Sequence, residues 1–135
     1  MIPTAIQSLP HVNFNDRRCI PKGERAVYFI VYEKELIYIG ISDCIYSRLT
    51  SSFTTNHPVG KYLDKIILNS LSFSHKHRWS NVQEKVLYDK AWRERWKNFK
   101  DNTLVYWYSV SDSRSELFKI ERMFIRKYQP KVNGN

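Results

Sequence analysis

The stretch Ala26-Val27-Tyr28-Phe29-Ile30-Val31-Tyr32-Glu33-Lys34-Glu35-Leu36-Ile37-Tyr38-Ile39-Gly40 decides the fold. Val27 to Tyr32 is bulky and largely β-branched or aromatic, which reads as a strand. Glu33-Lys34-Glu35 is a polar turn, and Leu36 to Gly40 reads as the return strand. The pair predicts a β-hairpin, without the strong Asn-Gly turn signal.

Downstream, Ser42 and Asp43 are helix-capping residue types, because their side chains accept hydrogen bonds from free backbone N–H groups. Ile45, Leu49 and Phe53 recur every fourth residue and predict a helix at about 43–53. Thr54 to Pro58 is a break. Leu63, Ile66, Ile67 and Leu71 predict a second helix at about 59–70. Residues 72–81 are polar and read as a loop, with room for a short strand at Leu71–Ser74. Residues 81–99 lack Gly and Pro and read as a helix, and Leu104 to Val110 as a third strand. Ser113-Arg114-Ser115-Glu116 fits a capping box, with a helix following to about Tyr128 and Pro130 stopping it.

Upstream, residues 1–25 hold Pro3, Pro10, Pro21 and Gly23 and show no period. They read as an irregular N-terminal arm anchored by Ile6, Leu9, Val12, Phe14 and Ile20. The expected organisation is that arm (1–25) followed by one domain (26–135). No internal repeat is present.

The chain has 135 residues, a formal net charge of +9, 42% hydrophobic and 15% aromatic residues. That suffices for a core and excludes a wholly disordered chain. No apolar run approaches the ~18 residues of a membrane span. There is no signal segment and no C-x-x-C pair, and the two cysteines, Cys19 and Cys44, cannot build a disulfide framework. A reduced, intracellular (cytoplasmic) protein is expected. The charge suits either nucleic acid phosphates or solubility alone. Lys85, Lys90, Arg93, Arg95 and Lys97 fall in the third helix and are candidate DNA contacts.

The last helix carries a carboxylate among apolar residues. With ~100° per residue, Leu117, Phe118, Phe124, Ile125 and Tyr128 fall within ~60° of Glu121. An unpaired ionised carboxylate there costs several kcal/mol. Either a nearby Arg or Tyr pairs with Glu121, or Glu121 is a metal ligand or acid/base group in a cleft.

Ala26-Val27-Tyr28, Tyr38-Ile39-Gly40, Arg48 in Arg48-Leu49-Thr50-Ser51-Ser52-Phe53, Glu121, and Asn133 in Tyr128-Gln129-Pro130-Lys131-Val132-Asn133 form an ordered set. The set resembles the GIY-YIG endonuclease superfamily over about residues 26–53 and 104–133. The resemblance implies an α+β fold, a three-stranded antiparallel sheet flanked by helices, here with a helical insert at about 71–100. It implies a metal-dependent endonuclease that hydrolyses DNA, duplex or branched, by in-line attack of water. Tyr28 then resembles the general base or water-positioner, and Tyr38 the tyrosine contacting phosphate or nucleophile. Arg48 resembles the arginine on the scissile phosphate, Glu121 the ligand of a single Mg²⁺ or Mn²⁺ ion, and Asn133 a supporting residue. His57 is a candidate helper. Two departures stand out: Ala26 replaces the first motif glycine, and the two tyrosines are slightly closer in sequence than usual.

The residue types suit the reaction. Arginine grips phosphate oxygens as a fork and stays charged. Mg²⁺ keeps most of its waters, so one carboxylate suffices. Tyrosine has a free pKa of ~10, so as a base it needs a cation beside it, such as Arg48, a lysine or the metal. A non-catalytic nucleic-acid-binding module with the same fold is the alternative, and a homodimer or partner protein is open as a source of specificity. His75-x-His77 lacks a third ligand nearby in sequence and reads as a charged loop. Cys44 and the Trp92/Trp96 pair read as packing.

Overall fold

A computed structural model describes residues 2–71, 79–111 and 113–133. The elements are α1 (Thr4–Gln7), β1 (His11–Asn13), β2 (Ala26–Tyr32), β3 (Glu35–Ser42), α2 (Ile45–Thr50), α3 (Pro58–Leu71), α4 (Val82–Asp101), β4 (Thr103–Ser109) and α5 (Arg114–Tyr128). Short 3-10 turns follow at Phe14–Cys19 and Lys131–Asn133.

The sheet is antiparallel in the order β1-β4-β2-β3. All seven residues of β2 are buried, because both faces of the sheet are covered. On one face Tyr28, Ile30, Tyr32 and Ile37 pack with Ile45 and Leu49 of α2, Val59 and Leu63 of α3, and Phe99 of α4. On the other, Val27, Phe29, Val31 and Ile39 meet Leu117, Ile120, Phe124 and Tyr128 of α5. A strand covered on both faces needs no polar alternation, which explains the unbroken run from Val27.

The hairpin turn has two residues, Glu33 (φ 50°) and Lys34 (φ 65°). Two successive left-handed residues match the twist of the flanking strands. Neither is a glycine or asparagine, so the turn's composition does not advertise this geometry. Past the turn the register shifts: Val31 faces Leu36 while Ile30 faces Tyr38, leaving Ile37 as an extra residue. This bulge lets both Ile37 and Tyr38 join the core face that holds Tyr28.

The three-stranded expectation needs correction, because the sheet has four strands. His11–Asn13 pairs with β4, opposite Leu104 to Tyr106. Three residues after a proline show no readable period; this strand exists because the outer edge of β4 is open to it. The arm is regular where an irregular one is expected, with a short helix, this strand and a 3-10 turn, and its expected anchors Ile6 and Phe14 are fully buried in the two layers. The helix expected at about 43–53 ends at Thr50. The N–H groups of Ser51 and Ser52 both turn to the Ser47 carbonyl, and the Thr50 hydroxyl bonds the Tyr46 carbonyl at 2.7 Å. The second and third helices and the last strand fall close to expectation. The Ser113 cap accepts from the Glu116 N–H. The short strand suggested at Leu71–Ser74 and the His75/His77 pair lie almost wholly outside the described residues. Among the described residues no helix is long and apolar enough to cross a membrane.

Candidate active site

The register of β2 and β3 sets Tyr28 directly opposite Gly40. A Cβ on Gly40 would lie 2.7 Å from Tyr28 Cζ and Oη and from Tyr38 Cε2. The glycine is needed because both tyrosine rings close over it. Their centroids are 6.0 Å apart. Tyr28 is fully buried, whereas Tyr38 is half-buried.

His57 is also buried, at 1% exposure. Its Nδ1 accepts the Val59 N–H at 3.0 Å, so that nitrogen carries no proton. The neutral ring then holds its proton on Nε2, which donates to Tyr28 Oη at 2.9 Å. Burial, with Arg48 adding, pushes the imidazole pKa down to about 3. His57 is therefore a hydrogen-bond donor to Tyr28, not a base for it. Phe53 stacks on the imidazole at 4.4 Å, and Trp96 stacks on Phe53 at 5.8 Å. Trp92 and Trp96 thus back the site from the core, and are not presented as open stacking platforms.

Two further positions support His57 that sequence reading missed. Phe53 lies beyond the end of α2, not on it. Gly60 sits in the first turn of α3, where a Cβ would come 2.2 Å from the Thr54 carbonyl oxygen. A glycine inside a helix costs ~1 kcal/mol relative to alanine, and that cost was the available signal.

Burial raises the Tyr28 hydroxyl well above the usual phenol range; coupling to Tyr38 adds and Arg48 opposes. The Tyr28–Tyr38 contact raises Tyr28 and lowers Tyr38, the sense expected if Tyr28 donates to the Tyr38 oxygen. Tyr38 is itself raised, first by burial; Arg48 opposes and Glu121 adds. Both tyrosines are neutral phenols at neutral pH. The expectation that Arg48 would favour phenolate at Tyr28 is outweighed by burial.

Arg48, in the last turn of α2, is half-buried and makes no ion pair among the described residues. Glu121 reaches the same region from α5 and acts electrostatically on Tyr38. It is half-buried, again with no ion pair among the described residues, and burial holds its carboxyl above the usual range against the pull of Arg122. The buried stripe of α5 is completed by Ile120, while Phe118, expected on the apolar face, is 41% exposed. Glu121 therefore borders that stripe. No cluster of three or more His, Cys, Asp or Glu able to hold a metal occurs among the described residues. The donor set fits a hard divalent ion held by one carboxylate and its own waters, and does not fit a closed cage.

Asn133 holds the edge strand. Its Oδ1 accepts the Ile39 N–H at 2.9 Å and its Nδ2 donates to the Ile39 carbonyl at 2.8 Å. The side-chain amide thus acts as one residue of a further strand, fixing the backbone between Tyr38 and Gly40.

The five basic residues of α4 read from sequence as DNA contacts do not form one free surface. Lys85 pairs with Asp89 at 2.8 Å and Lys97 with Asp101 at 3.0 Å. Arg95 turns to Tyr32 Oη at 3.4 Å. Lys90 and Arg93 are exposed, with no ion pair among the described residues. Cys44, read from sequence as packing, is the half-buried N-cap of α2, its thiol lowered by contact with the Ser47 hydroxyl.

No family model matches the chain, and no curated protein matches its sequence significantly. Its structure is similar to that of the GIY-YIG N-terminal endonuclease domain of UvrC from Thermotoga maritima bound to its catalytic divalent cation, magnesium, at 20% identity and TM-score 0.46, covering 89% of this chain and 94% of that one. Two tyrosine-to-phenylalanine mutants of the same domain match at 19% identity and TM-score 0.47, covering 90% of this chain and 96% of theirs.

Proposed function

We propose that this protein is a metal-dependent endonuclease that hydrolyses DNA phosphodiester bonds. The observation that carries the reading is the convergence of Tyr28, Tyr38 and Arg48 with a carboxylate from a distant helix, all without neutralising ion pairs among the described residues. Packing alone does not favour leaving Arg48 and Glu121 without ion pairs, since half-buried charges normally find partners.

In this reading Arg48 grips the non-bridging oxygens of the scissile phosphate and offsets charge that builds in the transition state. Tyr38, the more accessible tyrosine, presents its oxygen to the attacking water. Tyr28 lies behind it, its oxygen held by His57 Nε2–H, which leaves its own proton to turn toward the Tyr38 ring beside it. This order makes Tyr28 a positioning residue and gives Tyr38 the contact with the nucleophile. Glu121 would hold one Mg²⁺ or Mn²⁺ ion, which when bound supplies Lewis-acid stabilisation of the phosphate and leaving oxygen. Asn133 keeps the strand under Tyr38 in place. The net charge of +9 draws DNA to the domain, with Lys90 and Arg93 as candidate contacts from α4.

The test is nicking of supercoiled plasmid in Mg²⁺ or Mn²⁺. The wild type is expected to nick, and Glu121→Ala and Tyr38→Phe to lose most activity. Tyr28→Phe, which removes a donor behind the site, is expected to lose less than Tyr38→Phe. A wild type that binds DNA but cleaves neither plasmid nor branched substrates with any divalent ion would replace this reading by a non-catalytic binding module.

A further inference from the structure

The face of α5 turned away from the sheet carries a row of cations that no ion pair among the described residues neutralises. Lys119, Arg122, Arg126 and Lys127, with Met123, line one shallow groove. No acidic residue stands at any of these positions, and none of the four cations is in an ion pair among the described residues. Lys127 alone has a partner of another kind, the Tyr128 ring. On α4, by contrast, two of the six basic residues are neutralised by carboxylates one turn away.

Lys119, Arg122 and Arg126 stand three and four residues apart, so they are neighbours on the helix surface and repel one another. Arg126 and Lys127 belong to the last turn, where the helix dipole favours cations. Lys119 and Arg122 are in the helix interior and gain nothing from it. A row of repelling, unneutralised cations is complementary to a row of phosphates.

One member of the row, Arg122, flanks the candidate active site, and the others lie farther round the same helix. Arg122 follows Glu121 on the helix surface by ~100° and pulls on its carboxyl. Arg126 and Lys119 continue from Arg122 at ~140° and ~160° from Glu121. The apolar side of α5 is spent on the sheet, through Leu117, Ile120, Phe124 and Tyr128. Its exposed apolar residues, Phe118 and Met123, stand ~140° apart around the helix, so they make no continuous apolar face of the kind an interfacial membrane helix needs.

We propose that the outer face of α5, through Lys119, Arg122 and Arg126, grips the phosphate backbone of the DNA duplex flanking the bond to be cut. This rests on the nuclease reading above. One rigid helix then carries both the carboxylate of the reacting site and the contacts that hold the neighbouring phosphates in register with it.

The experiment is fluorescence anisotropy with a short labelled duplex in EDTA, over a range of salt concentrations. It compares the wild type, the triple variant Lys119→Gln/Arg122→Gln/Arg126→Gln, and the α4 variant Lys85→Gln/Lys97→Gln, whose cations are already paired with carboxylates. All substituted side chains are exposed, and circular dichroism checks that both variants fold. Each lost phosphate contact lowers the salt slope by ~0.9, so the α5 variant is expected to lose about 2–3 from the slope and at least about tenfold in affinity near 0.1 M salt. The α4 variant is expected to lose distinctly less. Equal losses in the two variants, or no loss in the α5 variant, would overturn the proposal, as would loss of anionic-vesicle binding without loss of DNA binding. Plasmid nicking by the wild type is read separately. If nicking is intact and the α5 variant binds DNA normally, this inference falls and the nuclease reading stands. A wild type that neither binds nor nicks DNA removes both.

Discussion

His57→Asn separates the two bonds of the buried imidazole. The His57 carbonyl accepts the Lys61 N–H at 2.9 Å and its Nδ1 accepts the Val59 N–H at 3.0 Å, so it caps α3. Asparagine is a good capping residue and keeps the second bond, but it is too short to reach Tyr28 Oη. The variant loses a buried hydrogen bond worth ~1 kcal/mol and the ring stacked on Phe53, for a total of about 2–4 kcal/mol at pH 7.5. The pH dependence is the sharper test. The folded imidazole pKa, about 3, lies below the unfolded value of 6.5. Its contribution to stability is therefore complete above pH 6.5 and is lost as the pH falls toward 3, because the unfolded chain takes up the proton first. Between pH 7.5 and 4.5 this amounts to about 1–3 kcal/mol; the upper figure is two pKa units at ~1.36 kcal/mol each, and the lower allows for water entering the site. Urea unfolding at the two pH values, for wild type and variant, reads the difference. The carboxylates titrate in both proteins and cancel. The wild type is expected to lose about 1–3 kcal/mol more than the variant on acidification. An identical pH dependence in the two proteins would refute the buried neutral donor and with it the ordering of the tyrosines.

Gly40→Ala is expected to destabilise by about 1–3 kcal/mol and to abolish nicking, since the new methyl displaces the tyrosine rings, while Gly60→Ala, which meets a backbone carbonyl instead of ring ends, should cost more in urea unfolding. Asn133→Asp keeps the acceptor for the Ile39 N–H but sets a carboxylate against the Ile39 carbonyl; it should lower stability by about 1–2 kcal/mol and nicking with it, and Asn133→Ala should cost a similar amount. Glu121→Gln removes a carboxylate whose ionised form the fold disfavours, so its melting temperature without divalent ions should equal or exceed that of the wild type. Mg²⁺ or Mn²⁺ should then raise the melting temperature of the wild type and leave that of the variant unchanged, because binding to the folded state alone stabilises it.

Local patterns carried much of this protein. The apolar run Val27–Tyr32, the break at Glu33–Glu35 and the capping box at Ser113 are each decided within a few residues, by side-chain shape and by backbone groups that need partners. They sufficed for the central hairpin, the long helices and the α+β class. The ordered spacing of Tyr28, Tyr38, Arg48, Glu121 and Asn133 was likewise visible in the chain. Tertiary structure decided what depends on distant neighbours. β1 is a strand only because the free edge of β4 pairs with it. The bulge at Ile37 turns Tyr38 onto the face of Tyr28 through a shift of register that no residue type encodes. Tyr28 lies deeper than Tyr38 because α3 brings His57 over it, and the protonation of His57 follows from burial and from one backbone N–H of that helix. Charge behaved the same way: composition counted the cations, but only the folded helices distinguish those neutralised by a carboxylate one turn away from those left free to meet phosphate. Local order is written in nearest-neighbour sterics and hydrogen bonding, whereas burial, pKa and ion pairing depend on the three-dimensional field of the whole chain.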